Sequence, residues 1–189
     1  MIKVIRLLNK KELLMYQIMQ PDHQQIYETQ VKTSTVPQQI FLAGSIEMGQ
    51  AKLWQNEAAH LINKLVKQDV AKNHLALLPT LIFYNPRRQH NFAPETVASQ
   101  IKWEQERLRQ ADYIFMYLQT GTKSPISLLE FGEFMATGKM VVSCASDFYR
   151  YQNIKITANC MGQSANLTTT KIAGCQLLAH KISLSNQAR

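Results

Sequence analysis

Short unbroken apolar runs alternate along this chain with longer segments in which apolar residues return every three or four positions. From residue 40 onward the two patterns take turns. Ile40, Phe41, Leu42 and Ala43, closed by Gly44 and Ser45, read as a first buried strand. Ala51, Trp54, Ala58, Leu61, Ile62, Leu65 and Val66 then mark one face of a long helix. A second strand falls in the latter part of residues 75–84, because Pro79 interrupts its first half. Asn85-Pro86-Arg87-Arg88 ends that strand, residues 89–94 form a loop, and a helix runs from near Pro94 to about Gln110. Residues 113–118 and 140–144 supply a third and a fourth strand. Residues 153–157 supply a fifth, and a last helix covers roughly 169–181. Strands and helices alternating at this spacing predict an α/β fold, a doubly wound sheet of five parallel strands flanked by helices.

The ends of the chain are patterned differently. Leu13, Leu14 and Ile18 have helical spacing within residues 10–20, and Pro21 would stop that helix. Residues 24–37 are polar and rich in Thr and Gln. The expected organisation is therefore an N-terminal extension over residues 1–37 that packs on the domain or on a partner. A single domain over 38–160 follows, and then a C-terminal helix with a basic tail over 161–189 that packs on it.

Composition narrows the classes. The chain has 189 residues, of which 46% are hydrophobic, enough for a full core. No apolar run approaches the roughly 18 residues of a membrane span, and the mixed-charge N-terminus lacks a cleavage site, so neither a membrane partner nor a signal peptide is expected. Cys144, Cys160 and Cys175 have no Cys-x-x-Cys spacing, which argues against a disulfide framework or a zinc site and for a reducing, cytoplasmic location. The net charge is +8, and residues 150–189 carry five basic side chains and no acid. These charges are scattered, so a solvated face or a subunit contact fits better than nucleic-acid binding. There is no dinucleotide or P-loop fingerprint, no nucleophile elbow, and the five histidines are dispersed. No metal and no cofactor is expected.

What remains is carboxylate chemistry, centred on residues 120–133. Gly121 turns the chain after the third strand, Ser124 is a good N-cap and Pro125 suits the first helical position. Glu130 then falls in the second turn, just past the carboxyl end of a strand, where open α/β sheets bind ligands. The helix dipole there favours its ionised form. Glu104 lies on the stripe of Ile101 and Leu108 in the preceding helix, so it either snorkels out or faces a polar cleft. Two carboxylates in one cleft are the equipment of a glycosidase. Gly44 would let a ligand approach the backbone, and Ser45 offers a hydroxyl and an N–H. Arg87 suits either a substrate or phosphate contact or an ion pair with Glu104 or Asp112.

Five blocks together resemble a known family. They are Phe41-Leu42-Ala43-Gly44-Ser45-Ile46, Asn85-Pro86-Arg87-Arg88, Gln100-Ile101 with Trp103-Glu104, Ala111-Asp112, and residues 123–132 with Glu130 two positions before Gly132. This set is similar to the nucleoside 2-deoxyribosyltransferase-like proteins, whose superfamily includes deoxyribosyltransferases and 2′-deoxynucleoside 5′-monophosphate N-glycosidases. The resemblance covers about residues 38–155 and implies a flavodoxin-like fold, usually as a homo-oligomer whose neighbours complete the sites. It implies a transferase or hydrolase acting on the N-glycosidic bond of a nucleoside or its 5′-monophosphate. Glu130 would be the nucleophile that forms a glycosyl-enzyme, and Glu104 an acid acting on the sugar hydroxyl or the leaving base. Gly44, Ser45 and Ile46 would line the base or sugar pocket, and Ser124 would lie near the 5′ end of the sugar. The loop Gln89-His90-Asn91-Phe92-Ala93-Pro94 departs from the family's pattern in lacking an acid, which leaves a nucleotide-binding module on the same fold as the alternative.

Overall fold

The computed structural model describes residues 16–21, 24–27, 37–47, 51–73, 79–88 and 94–187. The expected helix over 10–20, the first half of the second strand and the loop over 89–93 lie wholly or partly outside them. The elements are β1 (Tyr16–Met19), β2 (Gln24–Tyr27), β3 (Gln38–Gly44), α1 (Gln55–Lys72), β4 (Leu81–Tyr84), α2 (Pro94–Gln110), β5 (Tyr113–Leu118), α3 (Pro125–Phe134), β6 (Met140–Cys144), α4 (Tyr151–Cys160), β7 (Leu167–Thr168) and α5 (Lys171–Gln187).

Among the described residues one sheet holds the strands in the order β2-β1-β4-β3-β5-β6-β7. Six of these described strands run parallel, and β2, paired to β1, is antiparallel. The sheet thus exceeds the expected five parallel strands. Its inner order, β4-β3-β5-β6-β7, is the flavodoxin-like arrangement of a doubly wound sheet. The added parallel strand is β1, where Tyr16 and Ile18 point inward in strict alternation and pair alongside Leu81 and Phe83. The apolar spacing that suggested a helix ending at Gln20 is therefore overridden, at least from Tyr16 onward, by pairing to β4. The Tyr16 hydroxyl also hydrogen-bonds His60 on α1.

The strands β3, β5 and β6 are apolar on both faces because helices cover both. On β3, Ile40 and Leu42 face α1 and α5, where they meet Trp54, Ile62, Cys175 and Leu178. Phe41 and Ala43 face the other layer, with Leu108 of α2, Phe131 and Phe134 of α3 and Ile154 of α4. The fifth strand expected over 153–157 is instead part of α4. Its Ile154 and Ile156 alternate like a strand, yet Ile154 and Ala158 are buried one helical turn apart while Ile156 is 60% exposed. The last parallel strand is β7, two residues long. All three cysteines are free, Cys144 and Cys175 buried and Cys160 exposed. Among the described residues no helix is long and apolar enough to cross a membrane.

Candidate active site

The strand order reverses at β3, which has β4 on one side and β5 on the other. The crevice at such a switch point opens beyond the carboxyl ends of the strands. Gly44 at the end of β3 pairs with Tyr117 at the end of β5, so the loops leaving the two strands start side by side. Gly44 has φ +129°, and a Cβ built on it would stand 2.1 Å from the Tyr117 carbonyl oxygen. The glycine expected to admit a ligand admits the neighbouring strand.

Ser45 is fully buried and ties these loops together. Its N–H donates to the Tyr117 carbonyl at 2.9 Å. Its Oγ accepts the Gln119 N–H at 2.9 Å and lies 2.8 Å from Thr122 Oγ1 and 2.7 Å from Ser124 Oγ. Trp54 Nε1 donates to its carbonyl at 3.0 Å. Ile46 follows, half-buried, at the mouth of the loop. Ser124 is the N-cap residue of α3 and Pro125 opens the helix. The Ser124 side chain makes no cap, however: the residue is left-handed at φ 47°, ψ 49°, and its hydroxyl turns to Ser45 and Thr122. A non-glycine residue held there costs about 1–3 kcal/mol, which the surrounding bonds must over-determine.

On the inner face of α3, Ser124, Ser127 and Glu130 succeed one another at three-residue spacing and are all buried. Glu130 is 6% exposed, and among the described residues its carboxylate has no hydrogen-bond or ion-pair partner. Burial first, then the charges of Glu104 and Glu133, push its carboxyl up to about 8 from an ordinary 4.5. The ionised form expected from the helix dipole is thus outweighed by desolvation and like charge.

Glu104 is the second acid. Its carboxyl is also raised, by burial above all, while a hydrogen bond from Gln100 and the charge of Arg88 hold it down. Gln100 Nε2 bonds Glu104 Oε1 at 2.7 Å and reaches the Pro86 carbonyl at 3.3 Å, which links α2 to the loop after β4. Of the stripe expected to carry Glu104, Leu108 is buried but Ile101 is exposed. Trp103 packs with Phe41 and Tyr84. Arg87 is buried, and its Nη2 donates to the Ala51 carbonyl at 2.9 Å. The cation whose charge acts on Glu104 is its neighbour Arg88.

Three further residues join this place. Ser127 could have been found from its spacing between Ser124 and Glu130. Gln119 donates through Nε2 to the Lys52 carbonyl at 3.0 Å and steadies the segment between β3 and α1. Glu47, left-handed at φ 47°, accepts the backbone N–H groups of Lys123 and Ser124 at 2.9 and 2.5 Å. No spacing in the sequence pointed to that contact, because it joins segments far apart in the chain.

A parallel sheet with this order and buried polar side chains at its switch point defines a flavodoxin-like α/β protein. The family described as "Nucleoside 2-deoxyribosyltransferase like" matches residues 37–148, and the chain belongs to it. Its matched segment runs from the start of β3 to just before α4, and so contains β3, β5, α2 and α3 with both acids. The crystal structure of a conserved protein from Enterococcus faecalis V583 is similar at 16% identity and a TM-score of 0.37, over 82% of this chain and 99% of that one. No curated protein matches this chain in sequence. The family supports a role in glycosyl transfer in general terms.

Proposed function

We propose that this protein cleaves or exchanges the N-glycosidic bond of a nucleoside or nucleoside 5′-monophosphate, with Glu130 and Glu104 as its catalytic acids. The observation that carries this reading is the buried, unpartnered Glu130 at the switch point, which feels the charge of a second carboxyl. A carboxylate of Glu130 attacks the anomeric carbon, the carbon–nitrogen bond breaks, and its electron pair leaves with the base, which takes up a proton. In this reading Glu104 manages that proton. Water or a second base then displaces Glu130 and restores the starting configuration, which gives hydrolysis or transfer. Ser45, Ile46 and Ser124 border the sugar and base, and Gly44 and Arg87 hold the loops that do so. A homo-oligomer is part of the reading: Val97, Ile101, Ile126 and Leu129 leave apolar side chains exposed on α2 and α3, the helices that carry the two acids.

A second reading is a module that binds the ligand without turning it over. The observation that favours it is the high pKa of Glu130. A carboxyl that keeps its proton to about pH 8 donates a hydrogen bond at neutral pH rather than attacking. Chromatography of nucleosides and their 5′-monophosphates, incubated with and without a second free base, decides between the two. Base release or exchange that is lost in Glu130→Gln supports the enzyme. Full activity in that variant overturns the assignment, and saturable binding without product supports the module.

A further inference from the structure

Gln100 stands one helical turn before Glu104 on α2, and its Nε2 donates to Glu104 Oε1 at 2.7 Å. On an exposed helix such a pair adds little, and both side chains are free to turn away. Here both are half-buried, and a third group fixes them. The same Nε2 reaches the Pro86 carbonyl at 3.3 Å, on the loop that leaves β4. That carbonyl can only accept. With the amide turned over, its oxygen would face a carbonyl and a carboxylate. The amide must therefore present its two N–H groups, one to each. Gln100 is a fixed donor, anchored to a second element of the fold.

The consequence falls on Glu104. Its Oε1 is engaged by Gln100, and among the described residues its Oε2 has no hydrogen-bond partner. The bond from Gln100 survives either protonation state. It is strongest to the carboxylate, yet the carbonyl oxygen of a neutral carboxyl still accepts. A proton can come and go at Oε2 while Oε1 stays held. The charges acting on the two carboxyls come from three elements. Arg88, on the loop after β4, holds Glu104 down, and Glu133 of α3 joins Glu104 of α2 in raising Glu130.

We propose that Gln100 is a positioning residue: it clamps Glu104 Oε1 between α2 and the loop after β4, so that Oε2 is the atom that meets the substrate. The role of Oε2 rests on the N-glycosidic reading above; the clamp does not.

Gln100→Met keeps the length of the side chain and removes both donors. Against a panel of nucleosides and their 5′-monophosphates, its kcat/KM on the accepted substrate is expected to fall by about tenfold or more. In a Glu104→Ala background the same change should cost little, because nothing is left to clamp. Equal losses in the two backgrounds would overturn the proposal, since a merely structural Gln100 acts whatever stands at position 104. A second readout needs no turnover. In carbon-13 spectra of the glutamate carboxyls, with Glu104→Gln identifying the signal, the Glu104 carboxyl is expected to titrate at higher pH in Gln100→Met than in wild type. An unmoved titration refutes the clamp. If no substrate is turned over, the N-glycosidic reading fails, and nucleoside binding replaces kcat/KM in the same two backgrounds. Binding that Gln100→Met leaves unchanged, or no binding at all, then overturns the role of Oε2. Should Gln100→Met not fold, wild type carries the test: the side-chain amide protons of Gln100 are expected to shift as Glu104 titrates, and signals that stay put refute the clamp.

Discussion

Ser45 Oγ and Ser124 Oγ lie 2.7 Å apart, and this contact joins the end of β3 to the first residue of the helix that carries Glu130. The two hydroxyls sit in a buried polar knot with Thr122 and the Gln119 N–H. Replacing Ser45 with Ala leaves that N–H without its acceptor in the interior. A loss of about 1–3 kcal/mol is expected from urea unfolding. An unchanged midpoint would show that the knot is not holding the crevice.

The raised carboxyl of Glu130 has a thermodynamic signature. Between its ordinary 4.5 and its folded value of about 8, the native state holds a proton that the unfolded chain has lost. Its contribution is fully present below 4.5 and fades as pH rises through about 8. Glu130→Gln removes this loss. The variant is expected to be more stable than wild type at pH 8, by an amount on the order of a few kcal/mol, with the difference vanishing in acid. Denaturation at a series of pH values checks it, and parallel pH curves for the two proteins would contradict the buried, protonated state.

Glu104 tunes its neighbour. The Glu104 charge is one of the causes that raise Glu130, so Glu104→Gln should let Glu130 ionise at lower pH. If Glu130 attacks as the carboxylate, kcat/KM of the wild type rises toward pH 8. In Glu104→Gln that rising limb shifts to lower pH even as the overall rate falls. A limb that stays in place would separate the two carboxyls electrostatically.

Gly44→Ala tests the close approach of β3 and β5. The added methyl meets the Tyr117 carbonyl and the residue must keep a positive φ. Clash and backbone strain together are expected to cost more than about 3 kcal/mol, visible as a large fall in the thermal midpoint. A near-neutral effect would mean that the loops after the two strands can separate freely.

Lys139 caps the end of α2 from below. Its Nζ donates to the carbonyls of Leu108, Arg109 and Ala111 at 2.7, 3.2 and 3.2 Å, and burial lowers its pKa. Lys139→Met keeps the stem and removes the donors, so α2 should loosen at its C-terminal end. The expected cost is about 1–3 kcal/mol. Amide exchange confined to the last turn of α2 distinguishes this cap from a general loss of packing.

The sequence was legible where burial on two faces or a turn signal dominated. Residues 40–43, 113–118 and, apart from Ser143, 140–144 form unbroken apolar runs because both sheet faces are covered, a pattern that a half-exposed strand or a surface helix does not produce. Gly121, Ser124 and Pro125 marked the start of α3 correctly, and with it the position of Glu130. Alternation failed at Ile154 and Ile156, where helical burial of Ile154 and Ala158 prevailed. It also failed at β7, since two residues carry no period. The ionisation state of Glu130 was not legible at all. It depends on desolvation and on Glu104, twenty-six positions earlier, and neither is a local property. Glu47 escaped notice for the same reason, because its partners come from a different loop.

The strands β1 and β2 lie outside the segment that defines the family, yet β1 completes the ladder of β4. A chain trimmed to begin at residue 37 would bare the outer edge of β4, with its free N–H and C=O groups, and uncover the surface that Tyr16 and Ile18 occupy. Such an edge recruits strands from other molecules. The short N-terminal pair therefore moves the edge of the sheet from β4 out to β2, a task quite separate from anything the residues around Glu130 do.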